Sequence, residues 1–190
     1  EVAYRLCEAK IIAVTGTNGK TTTTTLLGEM VKTTNKKVTV GGNIGIGLSK
    51  KVIDIPQDGV VVAEISSYQV EGVSTFKPHI SLVLNITPDH IERYGSIENY
   101  QKMKERIFKN QTASDYIILN YDDEKTREMK NRTKSKVIYF SRKENLENID
   151  SVFVKDGQLI ISLNINNKKL NINICNLNDI KIRGNHNLEN

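Results

Sequence analysis

The sequence has 190 residues, 38% of them hydrophobic and 26% charged, with a formal net charge of +5. That is enough chain for one domain with a small addition at most, and enough apolar content for a buried core. No apolar run approaches the roughly 18–20 residues of a membrane span, and the opening Glu-Val-Ala-Tyr-Arg is not a signal peptide. Cys7 and Cys175 are too far apart for a CxxC pair and form no disulfide framework, so a reducing, cytoplasmic setting is expected. The lysines are dispersed and Trp is absent, so the basic stripe with stacking aromatics expected of a nucleic-acid binder is missing, and a solvated lysine-rich surface accounts for the charge. The chain opens without an initiator Met and stops abruptly at Glu189-Asn190, so it reads as a piece of a longer protein.

Residues 1–10 read as a linker or the end of a preceding helix. The apolar run Ile11–Val14 predicts a buried strand that breaks at Gly16, passes Thr17 and Asn18, and reaches Gly19-Lys20-Thr21 before a helix. Strand, glycine loop and helix N-terminus form a phosphate site: backbone N–H groups and the helix dipole face the anion, and the lysine adds a full charge. The strict pattern G-x-x-x-x-G-K-[ST] is not met, because Val14 stands five before Gly19. The local pattern is G-x-x-G-K-T, which also fits a Gly-Lys turn opening any helix. Leu26, Leu27, Met30 and Val31 are spaced for one face of a helix over Thr21–Thr34, and the threonine run at its start suits a turn wrapped around phosphate.

Lys37–Val40 predicts the next strand, running into Gly41-Gly42-Asn43-Ile44-Gly45, which either lets a ligand approach the backbone or is a plain flexible turn. Gly59–Ile65 is a continuous apolar run with Glu64 near its carboxyl end, where parallel sheets bind ligands and an acid can hold magnesium. Ser81–Asn85 repeats the pattern before Thr87-Pro88-Asp89-His90, an Asp–His pair suited to a metal ligand and its orienting partner, whereas His79 reads as a surface residue. Ser96 caps a helix over 96–111, in which Lys104 falls among Ile97, Tyr100, Ile107 and Phe108. Such a lysine either snorkels or is chemically used. A strand at Tyr116–Leu119, a helix at Glu124–Arg132 and a strand at Val137–Phe140 follow. Beyond residue 143 the pattern becomes a hairpin turning at Asp156-Gly157, then a strand pair over Leu163–Ile174 turning near Asn166-Asn167. The alternation predicts an α/β fold: a P-loop-type, mostly parallel sheet with helices on both faces, plus a small antiparallel β appendage near the C-terminus.

Thr15-Gly-Thr-Asn-Gly-Lys-Thr-Thr, Gly41-Gly-Asn-Ile-Gly, Glu64-Ile-Ser-Ser-Tyr-Gln, Asn85-Ile-Thr-Pro-Asp-His, Tyr100 with Lys104-x-Arg-Ile, and Gly184-Asn-His-Asn-x-x-Asn occur in this order. Together they resemble the Mur ligases, ATP-dependent amide-bond-forming enzymes of peptidoglycan precursor synthesis. The Ser-Ser-Tyr-Gln and Gly-Gly-Asn-Ile-Gly segments most resemble the member that adds D-glutamate to UDP-N-acetylmuramoyl-L-alanine.

The resemblance implies three domains. Residues 1–10 would be the linker from a missing N-terminal UDP-binding domain, and 11–190 the central ATP-binding domain with the antiparallel part at 143–180. A C-terminal domain would bring the amino acid. It implies ATP and magnesium, and an acyl phosphate formed on the substrate carboxylate. Gly16, Thr17, Asn18, Gly19, Lys20, Thr21 and Thr22 would cradle the triphosphate, with Asn187 and Asn190 reaching the nucleotide. Thr21 and Glu64 would hold one magnesium and His90 a second. Lys104 would be a CO2-derived carbamate beside the metal, making Lys20, His90 and Lys104 the catalytic side chains. Asn43, Ser66 and Gln69 would contact the muramoyl-alanine end of the substrate. Glu92 departs from the Asp of many relatives. The competing readings are another Mur or folylpolyglutamate-type ligase and, more remotely, a non-ligase P-loop nucleotide switch.

Overall fold

The computed structural model describes residues 1–45, 47–165, 168–182 and 184–189. Among these the strands form one nine-stranded sheet in the order β2-β3-β1-β4-β5-β6-β7-β8-β9. The strands are β1 (Lys10–Thr15), β2 (Val38–Gly42), β3 (Val60–Glu64), β4 (Ile80–Val83), β5 (Tyr116–Asn120), β6 (Lys136–Ser141), β7 (Ser151–Lys155), β8 (Gln158–Ile165) and β9 (Lys168–Asn176). β1 to β7 run parallel, and the β7–β8 and β8–β9 pairings are antiparallel. Helices α1 (Val2–Arg5), α2 (Lys20–Lys32), α3 (Leu48–Lys51), α4 (Ser67–Glu71), α5 (Ile91–Tyr94), α6 (Ile97–Glu105) and α7 (Glu124–Arg127) connect them.

The antiparallel C-terminal strands continue the main sheet: Phe140 and Ser141 of β6 pair in parallel with Val152 and Phe153 of β7, which starts the hairpin. That hairpin turns at Asp156-Gly157, both at positive φ (50° and 72°), as a two-residue turn of this handedness requires. β8 is a single strand serving both β7 and β9, where the sequence suggested two successive strand pairs. The expected turn at Asn166-Asn167 lies outside the described residues.

β3 is buried along its whole length, which explains its unbroken apolar run. Registers bring the carboxyl ends of the central strands together: Val14 and Gly42 both lie beside Glu64, and Thr15 lies beside Val83. Strand order reverses around β1, between β3 and β4, which is where open α/β sheets bind ligands. Gly42 sits at φ +109°, and a Cβ there would come within 2.2 Å of the Glu64 carbonyl oxygen, so no side chain fits.

Helix α2 corrects one expectation. Its buried residues are Thr23, Thr24 and Gly28, while Met30 is exposed. The helix lies so close to the sheet that a Cβ on Gly28 would meet a Val40 methyl at 2.4 Å. Small residues therefore face the strands, and the larger apolar ones lie to the side. α6 follows its reading: Ser96 accepts from Asn99 N–H as N-cap, and Tyr100, Lys104, Ile107 and Phe108 are buried. The two helices read at 96–111 and 124–132 are shorter than expected, each ending in 3-10 turns. Among the described residues, no helix is long and apolar enough to cross a membrane.

Candidate functional site

Gly19, at φ +83°, caps α2 in a left-handed conformation that turns the loop from β1 into the helix. The loop is held from β4's side by Asn85, whose Oδ1 accepts from the N–H groups of Thr17 (3.0 Å) and Asn18 (2.8 Å) and whose Nδ2 donates to Asn18 O (3.2 Å). Thr17 Oγ1 donates to Thr87 O and accepts from Thr87 N–H. Asn85 therefore fixes the shape of the loop, a role its place in the sequence did not disclose.

Lys20 Nζ folds over the loop and donates to Gly16 O (3.0 Å) and Thr17 O (2.7 Å). Burial lowers its pKa, opposed by the negative charges of Glu64 and Asp89. Thr21 Oγ1 donates to Glu64 Oε2 at 2.8 Å, and Asn43 Nδ2 donates to Glu64 Oε1 at 2.9 Å. Glu64 is 2% exposed; among the described residues its carboxylate accepts from these two neutral donors, and the Lys20 ammonium is a positive charge set against it. A hydroxyl and a carboxylate in contact are hard oxygen donors suited to magnesium. Among the described residues no group of three or more His, Cys, Asp or Glu side chains could hold a metal. The protein thus offers a partial shell, which suits an ion that keeps its waters and binds substrate phosphate.

A cavity of about 140 Å3 brings together Lys20, Asn43, Ser66, His90, Tyr100 and Lys104. Lys104 is 1% exposed, its Nζ donating to Gly16 O at 2.9 Å and lying 4.6 Å from the Tyr100 ring centroid. Burial first, and then the charge of Lys20, bring its pKa from 10.5 down to about 7, with Asp89 opposing. A good fraction of the amine is therefore neutral and nucleophilic near neutral pH. His90 is a non-glycine residue at φ 51°, with Nδ1 3.1 Å from the Tyr68 hydroxyl and Nε2 3.5 Å from Asp89 Oδ2. Glu92 is well exposed, its Oε1 3.9 Å from His90 Nδ1, and His79 lies at the surface as read.

A family model described as the Mur ligase middle domain matches residues 14–190. The chain belongs to the Mur ligase family. Over 190 residues it is 52% identical to the UDP-N-acetylmuramoylalanine--D-glutamate ligase of Thermoanaerobacter sp. (strain X514), covering all of this chain and 40% of that protein. The like-named protein of Alkaliphilus oremlandii (strain OhILAs) is 48% identical, with the same coverage. The chain thus spans about 40% of the length of the curated relatives it matches. In fold it is similar to the MurF ligase of Thermotoga maritima solved in complex with ADP, at TM-score 0.68 and 19% identity over 98% of this chain and 45% of that one. MurF of Acinetobacter baumannii is comparable, at TM-score 0.67 and 20% identity over 99% of this chain and 42% of that one.

Not every residue read as functional in this Mur ligase chain meets at one point. Ser66 and Gln69 engage each other: Gln69 Oε1 accepts from Ser66 N–H at 2.9 Å while Ser66 Oγ accepts from Gln69 N–H, a capping box on α4. The Ser-x-x-Gln spacing is the signature of such a box, a signal that was not read from the sequence. Gln69 faces a different cavity, of 440 Å3, lined mostly by apolar residues such as Leu48, Ile65 and Phe76. It is roomier than the Lys20–Lys104 cavity but is lined by neither lysine nor by His90. Asn187 lies in a short turn whose next residues, Leu188 and Glu189, line a 230 Å3 cavity with Thr23, Leu84 and Phe140. Asn190 lies outside the described residues.

Proposed function

We propose that this chain is the ATP-binding core of a ligase that joins D-glutamate to UDP-N-acetylmuramoyl-L-alanine in peptidoglycan precursor synthesis. The observation that carries the reading is the convergence of Lys20, Thr21, Glu64, His90 and Lys104 at the carboxyl ends of β1, β3 and β4. The names of relatives at 41–52% identity over the whole chain support the choice of amino acid. The flanking N- and C-terminal domains of the same protein would hold the UDP moiety and bring in D-glutamate, and the enzyme would work in the bacterial cytoplasm.

In the proposed reaction, the substrate carboxylate takes the γ-phosphoryl group of ATP, ADP leaves, and the D-glutamate amine displaces phosphate from the acyl phosphate to form the amide. Magnesium, when bound, neutralises charge between the anionic reactants. On this reading, Lys20 leaves the carbonyls of Gly16 and Thr17 for the β/γ-phosphate oxygens, and the loop N–H groups of Gly16 to Thr22 cradle the phosphates. Thr21 and Glu64 would hold one cation and His90 a second. Lys104, whose buried amine is readily neutral, would take up CO2 with release of a proton to become a carbamate, an oxygen anion that would face the cation site. Asn43 and Ser66 line the cavity wall where the muramoyl-alanine end would lie, with Gln69 ordering that wall through the capping box. Asn187, with Asn190, would reach the nucleotide from the segment against the 230 Å3 cavity.

Catalysis here is mainly positioning and charge neutralisation, because two anionic groups must meet for phosphoryl transfer. The test is ligation by the intact protein with UDP-N-acetylmuramoyl-L-alanine and ATP, offering D-glutamate against L-alanine, a diamino acid and D-Ala-D-Ala. ADP release with D-glutamate alone is expected. Preference for another amino acid would transfer the chain to a sister enzyme.

A further inference from the structure

The Glu1 carboxylate accepts from three consecutive backbone N–H groups of the loop that follows α4. Ser74 N–H and Phe76 N–H donate to Oε2 at 3.1 Å, and Thr75 N–H reaches both oxygens at 3.1 Å. The Thr75 hydroxyl donates to Oε1, and Arg5 Nε stands behind that oxygen at 3.2 Å. Successive N–H groups converging in this way form a nest, an anion site made of backbone. The loop is held in that shape from its other side. Arg106, just after α6, donates to Val73 O at 2.8 Å, and Asn110 Nδ2 donates to Ser74 O and Phe76 O at 2.8 and 2.9 Å. With these carbonyls engaged, the N–H groups are left to Glu1. The Thr75 hydroxyl is the chief cause of a Glu1 pKa lowered to about 2, with the three N–H groups adding to it against the cost of burial.

Glu1 stands at the head of α1, a helix of four residues with none buried and no side-chain cap. A helix this short does not hold itself in place. Beneath it lies the 440 Å3 cavity, with Glu1, Ala3 and Tyr4 on one side and Leu48, Ile65 and Val73 on the others. Protein interiors are close-packed, so an element lying over a space of this size covers it without filling it. Ala3, Tyr4 and Cys7 pack half-buried on the core, Tyr4 edge-on to Phe76 at 5.6 Å, while Val2 and Leu6 are exposed. Among the described residues, the Glu1 contacts are the only side-chain hydrogen bonds that tie α1 to another element.

We propose that α1 is a strap latched shut by Glu1: the carboxylate seated in the nest at Ser74–Phe76 holds α1 over the apolar cavity, and its release lifts α1, opens the cavity and exposes Cys7. An oxyanion free in solution can fill the nest but cannot hold α1, because only Glu1 joins the two. The loop that carries the nest continues α4, whose first turn holds Gln69 and is capped by Ser66. The latch and the wall assigned to the muramoyl-alanine end therefore share one short element. That link rests on the function proposed above, and the strap itself does not.

Cys7 reports the strap, and in a Cys175→Ser background it is the only thiol of the chain. Its labelling by a maleimide under native conditions follows the population in which α1 is open. Glu1→Ala should label about tenfold faster or more, the effect of losing hydrogen bonds to a charged group. Glu1→Gln, which keeps the size and loses the charge, should also label faster. Hydrogen exchange at the Ser74, Thr75 and Phe76 amides should quicken in both variants, with the β3 amides unmoved. Formate added to Glu1→Ala should slow those loop amides again and leave Cys7 fast, because it fills the nest without tethering α1. Unchanged Cys7 labelling in Glu1→Ala overturns the strap. Cys7 slowed by formate also overturns it, since order in the loop and not the tether would then protect the thiol. Faster exchange in β3 does the same, because α1 would then open only with unfolding of the chain.

Discussion

Replacing Lys104 with Met should change how stability depends on pH, by an amount the structure sets. The side chain is 1% exposed, and burial with the neighbouring Lys20 brings its pKa from 10.5 to about 7. Between those values the unfolded chain holds a proton that the folded chain has released, so folding becomes more favourable as pH rises. Below the folded value both states are protonated, and the cost of the buried charge is constant. Carried from pH 7 to about pH 9.5, the relief amounts to about 3 kcal/mol. Lys104→Met keeps a stem of similar length and loses the bond to Gly16 O, a difference that does not vary with pH. Urea unfolding of both proteins across this range, in CO2-free buffer to prevent carbamate formation, gives two curves whose difference isolates the one group. The wild-type chain should gain about 3 kcal/mol on the variant over that window. Parallel curves would show that the amine is not held neutral, and the case for its reaction with CO2 would go with them.

Gly28→Ala should destabilise the chain by about 1–3 kcal/mol despite better helix propensity, because its Cβ would meet Val40 at 2.4 Å. Adding Val40→Ala should restore part of the loss in a urea-unfolding double-mutant cycle, and strict additivity would contradict the close packing. Asn85→Asp keeps an acceptor for the Thr17 and Asn18 N–H groups but loses the donor to Asn18 O and adds a negative charge at the loop. Its ATP affinity by calorimetry should fall about tenfold or more, and unchanged binding would remove Asn85 from the loop's support. Glu64→Gln should abolish the magnesium dependence of ATP binding measured with and without EDTA, because the amide keeps the size and loses the charge. Dependence equal to the wild type would exclude Glu64 as the acid that holds the ion.

Much of the fold was legible because long periodic segments carry their own signal. The apolar run of β3 was readable as buried, and Lys104 was placed on the inner face of α6 by its spacing from Tyr100 and Ile107. α2 was misread because the face that packs on the sheet is made of Thr23, Thr24 and Gly28, whose small size rather than hydrophobicity suits close contact. The C-terminal strands were seen, but their joining of the main sheet was not, since nothing local encodes that β7 pairs in parallel with β6. The site divided in the same way. Lys20, Thr21 and Glu64 lie at strand ends and a helix start, which sequence patterns mark. Asn85 acts across a gap of 67 residues on the Asn18 N–H, and Tyr68 meets His90 only where the fold brings two very short helices together.

The most direct test of the nucleotide site is calorimetric titration of the chain with ATP and magnesium, comparing wild type with Lys20→Ala. Binding that needs magnesium and weakens about 10–100-fold in the variant is expected, from the loss of a charge-assisted phosphate contact. Equal affinity in the two proteins would contradict the assignment of residues 16–22 as the phosphate-binding loop.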